Sequence, residues 1–323
     1  MRATSADDYE AVNFWSEGII CAADLFLPDT PGNHPAVLMG HGWNQTKQGL
    51  RREGGYLRDA GYCVMIIDYR TLGMSHGEPR GQIFPRRQVE DLRNALTYLS
   101  CRPEVDPARL AIVGISFAGG LALHTAAFDS RIKVCIAQSP IVNGRKWMRS
   151  LRSAPEFDRL LREVQRDVEE SYGRPPAQGR VVYYPAAGRL EPLSDPGIAS
   201  LPKGAYGELP PFDPQNPNSC AHPHETQDSF NPMIAFSSIG HVIDFNPSDV
   251  IDQIAPRPLL IIGNAGGPYD WIHPPEQIQE AFARAGEPKE LVFLPYDAFG
   301  LYQEPGRKES MALITAFLDN HLQ

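Results

Sequence analysis

The eleven residues from Leu110 to Gly120, LAIVGISFAGG, restrict what this chain can fold into more than any other stretch. A short apolar run ends at Gly114, Ser116 follows after one residue, and Ala118, Gly119 and Gly120 open an alanine- and leucine-rich stretch reaching Phe128. The pattern reads as a buried strand, a sharp turn and a helix. A serine on such a turn sits in strained backbone with its hydroxyl presented outward, so the residues two before and two after it must be small; Gly114 and Ala118 are. Ser116 is therefore a candidate nucleophile. Without the flanking strand and helix, the same Gly-x-Ser-x-Ala would describe only a buried serine at the start of a helix.

The flanks supply the sheet that such a turn needs. Residues 11–16 and 19–27 read as a hairpin around Glu17-Gly18, and 35–40 as a buried strand stopping at His41-Gly42-Trp43. A helix over 50–60 closed by Gly61, a strand over 62–68, and a helix through Val89, Leu92, Leu96 and Leu99 follow. Beyond the serine come strands over 132–137, 258–263 and 290–295, a helix over 275–285 and a final amphipathic helix using Met311, Ile314, Phe317 and Leu318. Alternating strands and helices imply right-handed crossovers and a mostly parallel sheet covered on both faces, an α/β class.

Between Pro140 and Pro256 the alternation stops for roughly 115 residues, far beyond an ordinary loop. We expect residues 1–140 and 256–323 to form the core and residues 141–255 a cap. Phe157, Leu160, Leu161, Val164 and Val168 fall at helical spacing in its first part, and the Pro-, Gly- and aromatic-rich stretch from Gly173 to Pro232 reads as irregular packed loops, with Tyr184, Phe212, Phe230 and Phe236 as anchors. Cys220-x-His222-x-His224-Glu225 lacks any standard metal-ligand spacing and is assigned to the cap surface or its packing.

A formal net charge of −9 argues against nucleic acid or an anionic membrane surface as the main partner. The five cysteines are odd in number and scattered, three of them within apolar runs, so they read as reduced core residues. No apolar run is long enough to span a bilayer, and residues 1–8 lack the apolar centre of a signal peptide; a cytosolic location is the simplest expectation.

With the turn, the alternation and the insertion together, the chain resembles the α/β-hydrolase superfamily. Within it, it is similar to the dienelactone-hydrolase and Xaa-Pro-peptidase-related branch, which includes hydrolases and acyl transferases of secondary metabolism. The resemblance covers both flanks of the insertion. It implies that His41-Gly42-Trp43 is the oxyanion loop, with the N–H groups of Trp43 and Phe117 as donors and His41 as a brace. It implies a packing role for Asp68-Tyr69-Arg70-x-x-Gly73-x-Ser75. It also places the orienting acid in the loop after the strand that follows the cap, where Asp270 is the only carboxylate; Asp244, Asp249 and Asp252 are the runners-up.

The family's histidine follows the last strand, within a run resembling His-aromatic-x-Leu-Tyr. Here Phe299, Leu301 and Tyr302 match and the histidine position holds Ala298. An alanine takes no proton, and loss of one triad member costs on the order of 10⁴ to 10⁶ in rate. Of three accounts, the sequence favours a hydrolase disabled by a histidine-to-alanine change. A second is a binding or non-hydrolytic protein on the same fold. The third, ranked last, has His273 or a cap histidine supply the base, since a residue only three positions from Asp270 would have to reach across to Ser116. The parent activity expected is cleavage of an ester or lactone of a bulky, apolar, polyketide-like acyl group through an acyl-enzyme, with acyl transfer as the alternative. No metal or organic cofactor is required, the partner is a small-molecule substrate, and a homodimer is left open.

Overall fold

The computed structural model describes residues 8–43, 45–173, 181–183, 233–267 and 269–322. Eight strands form one sheet in the order β1-β2-β4-β3-β5-β6-β9-β10. The antiparallel pair β1 (Glu10–Ser16) and β2 (Ile19–Phe26) opens it, and β2 runs antiparallel to β4 (Cys63–Ile67). From β4 onward the neighbours are parallel: β3 (His34–Gly40), β5 (Val105–Ile115), β6 (Ile132–Gln138), β9 (Leu259–Asn264) and β10 (Lys289–Leu294). The central strands are buried along nearly their whole length, which is why their sequences are apolar runs and do not alternate.

Both faces are covered. On one, β5 residues Leu110 and Ile112 meet α2 (Pro85–Ser100) and α3 (Phe117–Phe128). On the other, Ala111, Val113 and Ile115 meet α1 (Arg51–Asp59) and the C-terminal helix Gly306–His321. This is the expected α/β-hydrolase arrangement. The expected packing motif is built from buried polar pairs: Asp91 accepts from Ser16 Oγ at 2.5 Å and from the Arg70 guanidinium at 2.8 Å, and Ser75 Oγ donates to the Asp68 carbonyl at 2.6 Å.

Within residues 141–255 the chain forms α4 (Gly144–Ser150), α5 (Ala154–Ser171) and α6 (Ser237–Ile243), with a short antiparallel ladder between β7 (Val181–Tyr183) and β8 (Met233–Ala235). Helix α5 buries Phe157 and Leu160, whereas Val168, placed on its apolar face by spacing, is 60% exposed. Helix α4 is too short to show a periodicity. Its start is nevertheless marked by Asn143, whose side chain accepts the Lys146 N–H at 2.9 Å. Phe236, expected as an apolar anchor of residues 141–255, is buried, while Tyr184, Phe212, Cys220, His222, His224 and Phe230 lie outside the described residues. Cys21, Cys63 and Cys135 are buried free thiols as expected of core residues, whereas Cys101, just past the end of α2, is exposed and corrects that reading. No helix among the described residues is long and apolar enough to cross a membrane.

Candidate active site

Strand β5 delivers Ser116 into the left-handed region at φ 58° and ψ −121°, and α3 starts at the next residue. A β-carbon on Gly114 would lie 2.0 Å from the Ala118 carbonyl oxygen, so the turn admits no side chain there. Phe117, as the first residue of α3, has an amide with no carbonyl partner in its own helix, suited to a developing negative charge. The loop after β3 closes on the same point: a β-carbon on Gly42 would meet Ser116 Cβ at 3.1 Å, and Trp43 follows, buried. His41 braces this loop. Its Nδ1 lies 3.0 Å from the Gly42 carbonyl, and burial pulls its pKa down to about 4. Asp68 accepts the Lys47 N–H at 2.7 Å, pinning the other end of the loop.

The imidazole at the serine is that of His273, with Nε2 2.8 Å from Ser116 Oγ. This corrects the ranking of His273 on reach. Beyond β9 the chain turns sharply through the single 3₁₀ turn Asp270–Ile272, closed by the His273 N–H on the Asp270 carbonyl at 3.0 Å, and the turn itself carries the ring to the serine. Two prolines follow, and a residue preceding proline is restricted to extended backbone; His273 sits at φ −130° and ψ 79°. That His-Pro-Pro run, in the loop after β9, was the signal available in the sequence. Burial is the main reason the His273 pKa falls to about 4, with the Asp270 charge opposing it. The ring is therefore neutral at physiological pH and able to accept a proton.

Asp270 does not bond this ring. Its carboxylate accepts from Asn264 Nδ2 at 2.9 Å, Gly266 N–H at 3.0 Å and Gly267 N–H at 3.2 Å, and so holds the loop together. The Nδ1 atom of His273 is buried and has no hydrogen-bond partner among the described residues. The runners-up are elsewhere: Asp249 pairs with Arg284 at 3.2 Å, Asp252 accepts from the neighbouring Gln253, and Asp244 is exposed at the end of α6. Ala298 is buried at 1% exposure in the loop after β10, beside Phe299, whose ring meets Tyr269 of the His273 loop at 5.3 Å. The expectation of a chain with no base within reach of Ser116 rested on Ala298, and His273 removes that ground.

Beside the serine lies an aromatic cluster. The Trp43 and Phe117 rings meet edge to face at 5.2 Å, and Trp147 of α4 packs at 5.5 Å from Trp43 and 6.4 Å from Phe117. The two residues expected to donate to an oxyanion thus share a wall with a residue of the insertion. Trp147 carried no functional signal in the sequence. Among the described residues no three His, Cys, Asp or Glu side chains gather so as to hold a metal ion.

The chain is similar to several known proteins. The family model described as X-Pro dipeptidyl-peptidase (S15 family) matches residues 17–187. The quorum-quenching protein AidA of Acinetobacter baumannii is 36% identical over 134 residues, spanning 41% of this chain and 44% of that one. Thiohydrolase aneE of Aspergillus aculeatus is 26% identical over 75% of this chain and 74% of its own length. Acyltransferase drtE of Aspergillus calidoustus is 27% identical over 90% of this chain and 87% of its own. The crystal structure of the alpha/beta hydrolase GrgF from Penicillium superposes with a TM-score of 0.74 at 20% identity, covering 97% of this chain and 99% of that one.

Proposed function

Because the chain belongs to the X-Pro dipeptidyl-peptidase (S15) family and is a hydrolase or acyltransferase of the α/β-hydrolase type, we propose that it works as a serine acyl enzyme with Ser116 as nucleophile and His273 as base. The observation that carries this reading is the 2.8 Å contact between Ser116 Oγ and His273 Nε2 on a strained strand-to-helix turn. As Ser116 Oγ attacks the acyl carbon, its proton passes to His273 Nε2, and the oxygen that becomes anionic turns toward the N–H groups of Trp43 and Phe117. The leaving alcohol or thiol takes the proton from His273 as it departs. Water, or an acceptor hydroxyl in a transferase, then releases the acyl group from Ser116.

The substrate is an ester, lactone or thioester of a bulky, largely apolar acyl group of the polyketide kind. The Trp43, Phe117 and Trp147 wall supports the acyl half of this reading. A ring whose pKa is pulled to about 4 is a weak base toward the serine proton and, once protonated, a strong acid toward the leaving group, so the attack on the acyl carbon is the step it helps least. Acyl carbons activated toward attack suit such a base best, and a thioester is one, its thiol with a pKa of about 8.5 being a far better leaving group than an alkoxide. The names of the thiohydrolase and acyltransferase relatives point the same way.

The test is a panel of p-nitrophenyl esters and N-acetylcysteamine thioesters of rising chain length, run with the unmodified protein, Ser116→Ala and His273→Ala, together with labelling by a fluorophosphonate. The reading expects Ser116-dependent turnover and labelling. A folded protein with neither is a binder that uses the pocket without acyl chemistry.

A further inference from the structure

We infer that Trp147, in the insertion, is a positioning residue for the base: it holds the His273 loop through its indole N–H while its ring forms the acyl wall. The inference rests on the Ser116–His273 reading above. The indole Nε1 donates to the Ile272 carbonyl at 2.9 Å, and Ile272 is the residue immediately before His273. The same ring packs on Trp43 and Phe117, so one side chain touches the oxyanion loop, the serine turn and the base loop.

The His273 loop needs such a tether. An imidazole in a triad is held at Nδ1 by a carboxylate, and here Nδ1 has no partner among the described residues while Asp270 is engaged with Asn264, Gly266 and Gly267. What fixes the ring is therefore its backbone: the 3₁₀ turn on one side, Pro274 on the other, and the carbonyl between them held by Trp147. Helix α4 reaches the same segment a second time through the ion pair of Lys146 with Glu280, which lies on α7 (Pro275–Arg284), the helix that follows His273. At its other end α4 abuts α6, where a β-carbon on Gly144 would collide with the Val242 carbonyl, so the tether is backed by a packed element. The insertion thereby both shapes the acyl site and sets the base. An acyl group pressing on Trp147 acts on the residue that places His273.

Trp147→Phe keeps a ring on the wall and removes the N–H. It is expected to lower kcat about tenfold for both p-nitrophenyl acetate and p-nitrophenyl decanoate, with KM for either within about twofold, and to slow fluorophosphonate labelling of Ser116 by a factor matching kcat. Trp147→Ala removes the wall as well and is expected in addition to raise KM for the decanoate by about fivefold or more, leaving the acetate KM unchanged. A ring that served packing alone would lower the melting temperature without this division between kcat and KM. Glu280→Gln cuts the second tether at an exposed pair, where folding is not at stake, and is expected to lower kcat about two- to threefold. Unchanged kcat in both Trp147→Phe and Glu280→Gln, or in Glu280→Gln where Trp147→Phe does not fold, overturns the inference. Full activity of Ser116→Ala and His273→Ala in the same assays overturns the reading of the site and this inference with it.

Discussion

The loops that follow β9 and β10 are built alike and end differently. In each an aspartate carboxylate gathers nearby backbone N–H groups, Asp270 those of Gly266 and Gly267 and Asp297 those of Phe299 and Gly300, and in each a 3₁₀ turn follows, Asp270–Ile272 in one and Gly300–Tyr302 in the other. The first loop releases the chain after its turn at His273, directly against Ser116. The second buries Ala298 before its turn. The two pack on each other through Tyr269 and Phe299. The difference teaches that a proton acceptor at the serine is defined by where a turn sets the chain down. The strand from which the loop departs does not decide it.

The sharpest way to break this comparison is to remove the ring. His273→Ala is expected to lower kcat about 10³- to 10⁴-fold in the ester panel, and Ser116→Ala combined with it to cost little more, since groups acting as a unit are not additive. A kcat within tenfold of the unmodified protein would return the base to some other residue.

Placing a histidine in the second loop asks whether the two loops are interchangeable. Ala298 is fully packed, so Ala298→His is expected to destabilise the fold by about 1–3 kcal/mol through overpacking, read as a fall in melting temperature. In the His273→Ala background it is expected to leave kcat within about tenfold of His273→Ala alone, because a ring without room cannot adopt the serine-facing geometry. Recovery beyond that would show that the second loop can also deliver a base.

Asp270→Asn probes the loop's own clasp. A triad aspartate changed this way loses about 10⁴ in kcat, whereas a carboxylate that bonds Asn264, Gly266 and Gly267 should cost about tenfold, together with a lower melting temperature. A loss near the larger figure would mean that Asp270 reaches His273 during the reaction.

The smallest effect is in pH. Burial lowers the His273 pKa to about 4, so the neutral, proton-accepting ring persists down to that pH and is lost below it. The acid limb of kcat/KM is expected near pH 4, in place of the 6.5 of an unperturbed imidazole. Asp270→Asn, by removing a charge that opposes the shift, should move that limb lower still. An acid limb at 6.5 would mean a solvated ring.

Much of this molecule was legible along the chain because its signals are local. The strained Ser116 turn announces itself through Gly114 and Ala118, since only small residues fit where a β-carbon would strike the next turn of backbone. The core strands announce themselves because parallel strands buried on both faces must be apolar throughout. The place of the His41-Gly42-Trp43 loop after β3 was legible, and Gly42 does lie against Ser116. Val168 shows the limit of periodicity: the spacing places it on a face, but whether anything covers that face depends on partners distant in sequence.

The sequence by itself thus determined the sheet, the serine on its turn and the position of the loops around it, each of which depends on contacts within a few residues or on strand burial. Only the tertiary structure decided which imidazole meets the serine, where the Asp270 carboxylate is directed and that Trp147 stands between acyl wall and base loop. Those outcomes turn on the angle at which a three-residue 3₁₀ turn leaves β9 and on how α4 docks against residues more than a hundred positions away. Differences of a few ångströms settle both, and no residue spacing encodes them.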